Sequence, residues 1–278
     1  MIRLSAFADE ISADLNEQIA VLRSEHISFL DLRGVWNTNV LDLSDAQITE
    51  LQQTLIDEGI GVSAIASPIG KVPIDGPFDE HLRHFEHAIT LAKLFNTPFI
   101  RIFSFYPPTN AGNSRNPADW RNEVLRRLHE LTLLSSAEGI VLLHENEKDI
   151  YGDTIAHCTD LLKSIDNVHF QAILDPANFI QCGQTPYPDA YNALQPWLKY
   201  IHVKDALPDG SVVASGEGIA HWPQLLQQLR DDGYDGFLSL EPHLASAEQY
   251  AGYSGPDLFR HASQSLQDIL HTLDWEFA

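Results

Sequence analysis

Short apolar runs alternate with longer amphipathic stretches along the whole chain. Ile2–Phe7 reads as a first strand, and a helix follows with Asp14 as N-cap and Glu17 three residues on as a capping box. Ile27–Leu32 reads as strand two. The next helix has Ser44 at its cap, Gln47 at N3, Leu43 and Ile48 as a hydrophobic staple, and Gly59 as its C′ residue. Ile60–Ala66 is strand three, and the Gly- and Pro-rich stretch from Ser67 to Pro77 is irregular. A third helix places Leu82, Phe85, Ile89 and Ala92 on one face. Pro98–Phe103 is strand four and Phe105–Arg115 a second long loop. Asn116 followed by Pro117 starts a helix that runs to Glu138, closed by Gly139. Strands at Ile140–Glu145, Val168–Asp175, Tyr200–Val203 and Phe237–Glu241 complete the series, and a last helix covers Pro256–Leu273.

Eight strands, each followed by a helix, imply a parallel sheet closed into an α/β (β/α)8 TIM barrel, one domain over residues 1–278. No glycine-rich phosphate turn follows the first strand, which argues against a dinucleotide-binding open sheet. In such barrels the site lies at the C-terminal ends of the strands, where the two long loops also fall.

Composition narrows the partners. With 17 Lys and Arg against 39 Asp and Glu the net charge is −22, which opposes binding to nucleic acid or anionic lipid. The two cysteines, Cys158 and Cys182, form no metal motif and fit a reducing compartment. No basic segment leads into a long apolar stretch and no apolar window approaches a membrane span, so the expected setting is cytoplasmic.

Four of the apolar runs end in the same way. Ile140–His144 runs into Glu145, Phe170–Leu174 into Asp175, Phe237–Leu240 into Glu241, and His202 sits between Ile201 and Val203. The gaps of 30, 27 and 39 residues each fit one strand, one helix and two loops, so four successive parallel strands present Glu, Asp, His and Glu at one end. Each acid alone could be a helix N-cap. Together they make an oxygen-rich divalent metal site, suited to Mn²⁺, Mg²⁺ or Co²⁺, with Zn²⁺ also open. Three buried carboxylates without a cation would repel one another severely.

The runs His144-Glu-Asn, Leu174-Asp-Pro-Ala-Asn, Ile201-His-Val-Lys-Asp, Gly216-Glu-Gly and Leu240-Glu-Pro-His carry a resemblance. They are similar to the xylose-isomerase-like TIM-barrel superfamily, and within it to the sugar phosphate isomerase/epimerase branch, with ketose 3-epimerases and hydroxypyruvate isomerase as near relatives. The resemblance implies that Glu145, Asp175, His202 and Glu241 bind one divalent ion, Mn²⁺ first among them. It implies that Glu145 and Glu241 exchange a proton with a carbon beside a carbonyl of a small sugar or sugar-like keto acid. It also implies a homodimer or homotetramer. The sequence departs from the epimerase pattern twice: Asn178 stands where those relatives often have a substrate-touching His, and Leu207 and Pro208 stand where they place an Arg.

Other residues are candidates for the substrate. Asn178 could bond a hydroxyl, and Glu217, between two glycines, could reach the site. Arg33 after strand two, Lys71 in the Gly- and Pro-rich loop and Arg101 within strand four are scarce cations that could bind a phosphate or carboxylate of the substrate, and an Arg inside a barrel strand either pairs with buried acids or faces ligand. Trp36 lies where relatives use an aromatic wall. His144 is expected to face away from the site, Glu147 is an alternative ligand to Glu145, and Lys204 with Asp205 reads as a local ion pair at a strand exit. His81, His84 and His87 read as a solvated helix face. A dehydratase of the dehydroshikimate or inosose type on the same ligands is the alternative reaction. An AP-endonuclease-like phosphodiesterase and a non-catalytic sugar-binding barrel are the remaining readings.

Overall fold

The apolar runs pair side by side as the alternation requires. The computed structural model describes residues 1–109, 116–245 and 254–278. Its barrel strands are β1 (Arg3–Ala6), β2 (Phe29–Leu32), β3 (Gly61–Ile65), β4 (Phe99–Ile102), β5 (Val141–Glu145), β6 (Phe170–Leu174), β7 (Leu198–Val203) and β8 (Phe237–Leu240). All ladders in this sheet are parallel, and the order runs β1-β8-β7-β6-β5-β4-β3-β2. β1 and β2 lie side by side at the seam, so the barrel is nearly closed. The main outer helices are α1 (Leu15–Ser24), α2 (Asp45–Glu58), α3 (Phe78–Leu94), α4 (Arg121–Ala137), α5 (Ile155–Ile165), α6 (Pro176–Gln181), α7 (Trp222–Asp231) and α8 (Pro256–Thr272). This is the (β/α)8 barrel expected from the pattern.

Side chains alternate between the barrel interior and the helix layer. The lower interior is apolar, with Ala64, Leu143, Ile173, Tyr200 and Phe237 packed together and Phe29, Phe99 and Val141 against them. Above it lies a polar layer. Asp31 accepts from Ser239 Oγ (2.5 Å), Tyr200 Oη (2.9 Å) and Ser63 Oγ (3.2 Å), and Ser63 is bonded to Ser5 at 2.6 Å. Charged residues of the same parity follow: Arg33 two past Asp31, Glu241 two past Ser239, Glu145 two past Leu143, Asp175 two past Ile173 and Lys204 two past His202. The same parity therefore stacks apolar, polar and charged layers up one interior.

Caps follow the expected chemistry with two corrections. Ser44 and Gln47 form a reciprocal capping box, and Gly59 ends α2 in the left-handed region at φ 68°. At α1 only half a box forms. Asp14 accepts from the Glu17 N–H, but the Asp14 N–H donates to Ser12 Oγ. The helix expected from Asn116 is split into a 3₁₀ turn, Pro117–Asp119, and α4, with Trp120 (φ −118°, ψ 0°) at the junction. Two short hairpins were not foreseen, Gly34–Val35 with Thr38–Asn39 and Asp205–Ala206 with Val212–Val213.

The loops at the strand C-termini are built in two ways. Residues 67–76 pair with 103–106 through backbone bonds: Phe103 N–H to Ile69 O, Phe105 N–H to Gly70 O, Ile74 N–H to Tyr106 O and Tyr106 N–H to Val72 O. Gly70 sits at φ 89°, where a Cβ would run into the Phe103 carbonyl. The expected loop Phe105–Arg115 is described as far as 109, and its remainder lies outside the described residues. The 206–220 loop is instead gathered by one carboxylate. Asp205 accepts the N–H groups of Ala206, Gly216, Gly218 and Ala220 at 2.8–3.0 Å.

His81 corrects the expectation of a solvated face. His84 on the same helix is exposed, but His81 is buried and accepts the Gly70 N–H at 3.0 Å. Burial first, then His84 and Arg127, pushes its imidazole down to about 4. Burial does the same to His144, also to about 4. Between pH 6.5 and 4 the unfolded chain therefore binds a proton on each imidazole that the folded chain does not. Stability contributed by the neutral rings is present above pH 6.5 and falls as pH drops, by about 1.4 kcal/mol per pH unit for each. His81→Gln is expected to flatten the fall of unfolding free energy over this range by about one proton's worth. Denaturant unfolding at pH 4.5, 5.5 and 6.5 checks it, and an unchanged slope would show that His81 takes its proton in the folded state.

Candidate metal centre

Strand ends β5, β6, β7 and β8 deliver Glu145, Asp175, His202 and Glu241 to one point. Their donor atoms lie within 4.8 Å of one another, and all four residues are buried. Asp175 caps α6, accepting the Asn178 N–H with Oδ1 (2.9 Å). Its Oδ2 makes no directed hydrogen bond. His202 Nδ1 lies 3.1 Å from Glu145 Oε1 and 3.6 Å from Glu241 Oε2, also off the hydrogen-bonding direction. An imidazole nitrogen facing carboxylate oxygens, beside an acid oxygen that only an ammonium meets, fits a divalent cation. The donor set is one nitrogen and several oxygens, one atom from each of the four residues. The other ring nitrogen, Nε2, lies 3.9 Å from Asp31 Oδ2, so the polar layer stands behind the imidazole.

The four residues do not stand alone. Lys204 Nζ is 2.8 Å from Asp175 Oδ2 and 3.1 Å from Glu241 Oε2. Arg101 donates from Nη1 to Glu145 Oε2 (3.1 Å) and lies 3.6 Å from Glu241 Oε1. Arg33 donates from Nε to Asp9 (2.7 Å), from Nη2 to Glu10 (2.9 Å) and from Nη1 to Glu241 Oε1 (3.0 Å). His243 Nε2 lies 2.9 Å from Glu10 Oε1 and 3.7 Å from Glu241 Oε1.

These neighbours set the protonation states. Burial works to raise Glu145, but His202 and Arg101 outweigh it and bring the carboxyl down. Burial is outweighed at Glu241 too, by Lys204, His243, His202 and Arg101, and its carboxyl is held well below the usual carboxylate range. Asp175 is the opposite case. Burial raises it, with Glu145 and Glu241 adding to the effect against Lys204. Two of the three carboxylates are thus firmly ionised at neutral pH.

A cavity of about 230 Å³ opens above the group. Arg33, Lys71, Arg101, Glu145, Lys204 and Glu241 supply most of its charged lining, with Asn39, Glu147 and His243 at the wall. It is smaller than the roughly 300–1,000 Å³ of drug-sized sites, which fits a small polar molecule. A larger cavity at the far end of the barrel, about 380 Å³, has only Asp166 and Lys199 as charged lining residues and gathers no cluster of ligands.

The expected substrate residues divide. Lys71 and Arg101 line the cavity, Lys71 paired to Glu147 at 2.9 Å. Asn178 is buried beneath, donating to Asn146 O (3.0 Å) and Glu145 Oε1 (3.3 Å), so it braces an acid. Trp36, at φ 53° in the turn of the first hairpin, is partly buried against the core and is not a lining residue. Glu217 is about half exposed and lies 2.9 Å from His261, away from the cavity. Its loop is pulled in by Asp205, leaving its own side chain outside. Glu147 is drawn off by Lys71 and is not in the four-residue group. The expected Lys204–Asp205 pair does not form: Lys204 turns into the site and Asp205 into its loop. His144 faces the ring of Phe170, 6.0 Å away, not the cavity. Asp9, Glu10, Asp31 and His243 were not foreseen. Asp31 had a signal, since a charged residue in the apolar run Phe29–Leu32 needs buried partners.

Comparison with known proteins follows the same lines. The family model described as xylose isomerase-like TIM barrel matches residues 27–269. No curated protein matches the sequence. The solved structure of the "probable 3-DHS dehydratase AsbF" of Bacillus anthracis superposes with a TM-score of 0.75 at 19% identity, over 96% of this chain and 99% of that one. A D-tagatose 3-epimerase-like protein gives 0.76 at 15% identity, over 98% of each chain. The IOLI protein, solved with a zinc atom, gives 0.73 at 14% identity, over 98% of this chain and 99% of that one. At these identities the likeness is one of fold. Among the described residues no helix is long and apolar enough to cross a membrane.

Proposed function

This chain belongs to the xylose isomerase-like TIM barrel family, and on that premise we propose that it is a divalent-metal-dependent isomerase or epimerase of a small keto sugar. The observation that carries the reading is the pair Glu145 and Glu241, two ionised carboxylates that line one cavity from β5 and β8. Glu145, Asp175, His202 and Glu241 would hold the metal. When bound it would supply Lewis acidity toward a carbonyl and a neighbouring hydroxyl oxygen.

The chain's own groups then do the proton work. One glutamate takes a proton from the carbon beside the carbonyl, and the other returns one to the resulting enediolate. Arg101 and Lys204, fixed cations in a buried site, offset the charge that develops. Asn178 holds Glu145 from behind and limits its swing.

The same ion pairs favour an uncharged substrate. Each of the four Lys and Arg residues lining the cavity already faces a carboxylate: Arg33 faces Asp9, Glu10 and Glu241; Lys71 faces Glu147; Arg101 faces Glu145; Lys204 faces Asp175 and Glu241. A phosphate or carboxylate would have to share one of these cations with the acid already against it, at the cost of crowding two anions together. A hydroxyl-rich keto sugar need not. A dehydratase acting on an uncharged inosose is the second reading. It is favoured by Leu207 and Pro208, which stand where epimerases place an Arg and which do not line the cavity.

The test is solvent exchange. Protein with Mn²⁺ is incubated in D₂O with a panel of ketoses, inososes and their phosphates, beside a chelated control. Deuterium is expected at a carbon next to the carbonyl of an unphosphorylated member, dependent on metal. Metal-dependent loss of water would move the reading to the dehydratase, and exchange confined to phosphate esters would reject the uncharged substrate.

A further inference from the structure

Lys204 occupies ground that a metal would share. Its side chain is 4% exposed, and its ammonium stands against Asp175 Oδ2 and Glu241 Oε2, on two of the four residues whose donor atoms converge. Arg101 brackets the other side, against Glu145 Oε2. The three carboxylates of the group are thus met by two tethered cations inside the barrel, Lys204 and Arg101, in addition to Arg33 at Glu241 Oε1, before any ion arrives. Neither can leave: Lys204 follows directly on β7, one residue past Val203, and Arg101 lies within β4.

Resting on the metal-centre reading above, we infer that Lys204 is a built-in counter-ion that holds Asp175 and Glu241 in place without metal and weakens metal binding by competing for them. The physical reason is symmetrical. Three buried carboxylates left without compensating charge repel one another, so the ammonium stabilises the metal-free protein. The same positive charge, a few ångströms from a divalent ion in a poorly screened interior, opposes the ion. Metal occupancy then tracks the free ion concentration, and the folded barrel survives its loss.

The test reads binding and stability rather than turnover. Mn²⁺ is titrated calorimetrically into chelator-treated wild type, Lys204→Met, and Lys204→Arg, and each is melted with chelator and with Mn²⁺. Lys204→Met is expected to bind Mn²⁺ about tenfold or more tightly than wild type. Its chelated form is expected to melt below chelated wild type, with Mn²⁺ restoring it. Lys204→Arg, which keeps the charge, is expected to stay within about threefold of wild-type affinity. Unchanged or weaker Mn²⁺ binding by a folded Lys204→Met overturns the inference, as does a chelated variant as stable as wild type. If Lys204→Met does not fold, Lys204→Gln, uncharged but able to donate to the same oxygens, decides by the same affinity criterion. If wild type binds neither Mn²⁺, Mg²⁺ nor Zn²⁺, the metal centre itself is wrong and the inference falls with it. If wild type binds and Lys204→Met binds no more tightly, only the inference falls.

Discussion

Glu145→Gln and Glu241→Gln are each expected to lower metal-dependent exchange and turnover by about 10²–10⁴-fold on whichever substrate the exchange panel identifies. Glutamine keeps the shape of each side chain and removes its charge and its basicity. At position 145 the amide would face His202 Nδ1, Asn178 Nδ2 and Arg101 Nη1, all grouped about the carboxylate today. At position 241 it would take one anion away from Arg33, Arg101 and Lys204 together. Metal affinity should fall in both variants, because each acid belongs to the converging group. Equilibrium dialysis against Mn²⁺ separates that loss from the loss of proton transfer, and saturating metal should not rescue the rate. Retention of both metal and full turnover by both variants would end the two-carboxylate mechanism.

Arg33→Met should produce the largest loss of stability of any single change at the rim. Its guanidinium serves three carboxylates through three different nitrogens, Asp9, Glu10 and Glu241, and its Cζ lies over the Phe7 ring, 4.7 Å from the centroid. At Asp9 that charge works against the rise that burial imposes, and Arg33 itself is held cationic far above its usual range by the three acids in spite of burial. Removing it leaves buried anions with one cation fewer, a change that costs about 3–5 kcal/mol in comparable settings. Arg33→Lys should recover only part of this, because a single ammonium cannot reach three acceptors in a fork. Denaturant unfolding at pH 7 measures both. A loss under about 1 kcal/mol for Arg33→Met would mean that water reaches the cluster and screens it.

Parity along the strands explains what could be read from the chain. Glu145, Asp175, His202 and Glu241 stood out because each ends or punctuates an apolar run, and the structure brings those four together. The eight strands were legible for the same reason, with ends displaced by one or two residues. Lys204 has the same parity as His202, but the apolar run ends at Val203, which hides it from a reading of the run alone. The interior goes on one residue further than the ladder. Arg33 is likewise two residues past Asp31. Long-range pairing was not legible. Nothing local tells that Glu10 meets His243 and Ser254, some 230 to 245 residues away in the chain, or that Asp205 spends itself on a loop. Glu217 shows the converse error: two flanking glycines mark a turn, and the turn faces solvent.

The two ways of fastening the rim loops define what can be exchanged between barrels of this kind. Beside its short hairpin, the 206–220 loop is gathered at one acid, so Asp205 and the loop form one transplantable cassette, and a foreign loop grafted without a matching acid would lose the four bonds that close it. The 67–76 wall is knitted to 103–106 backbone to backbone, so those two segments can be moved only as a pair. A redesign aimed at a new substrate would then have the paired wall, with Lys71 on it, as its unit of variation, while the acids below stayed as they are.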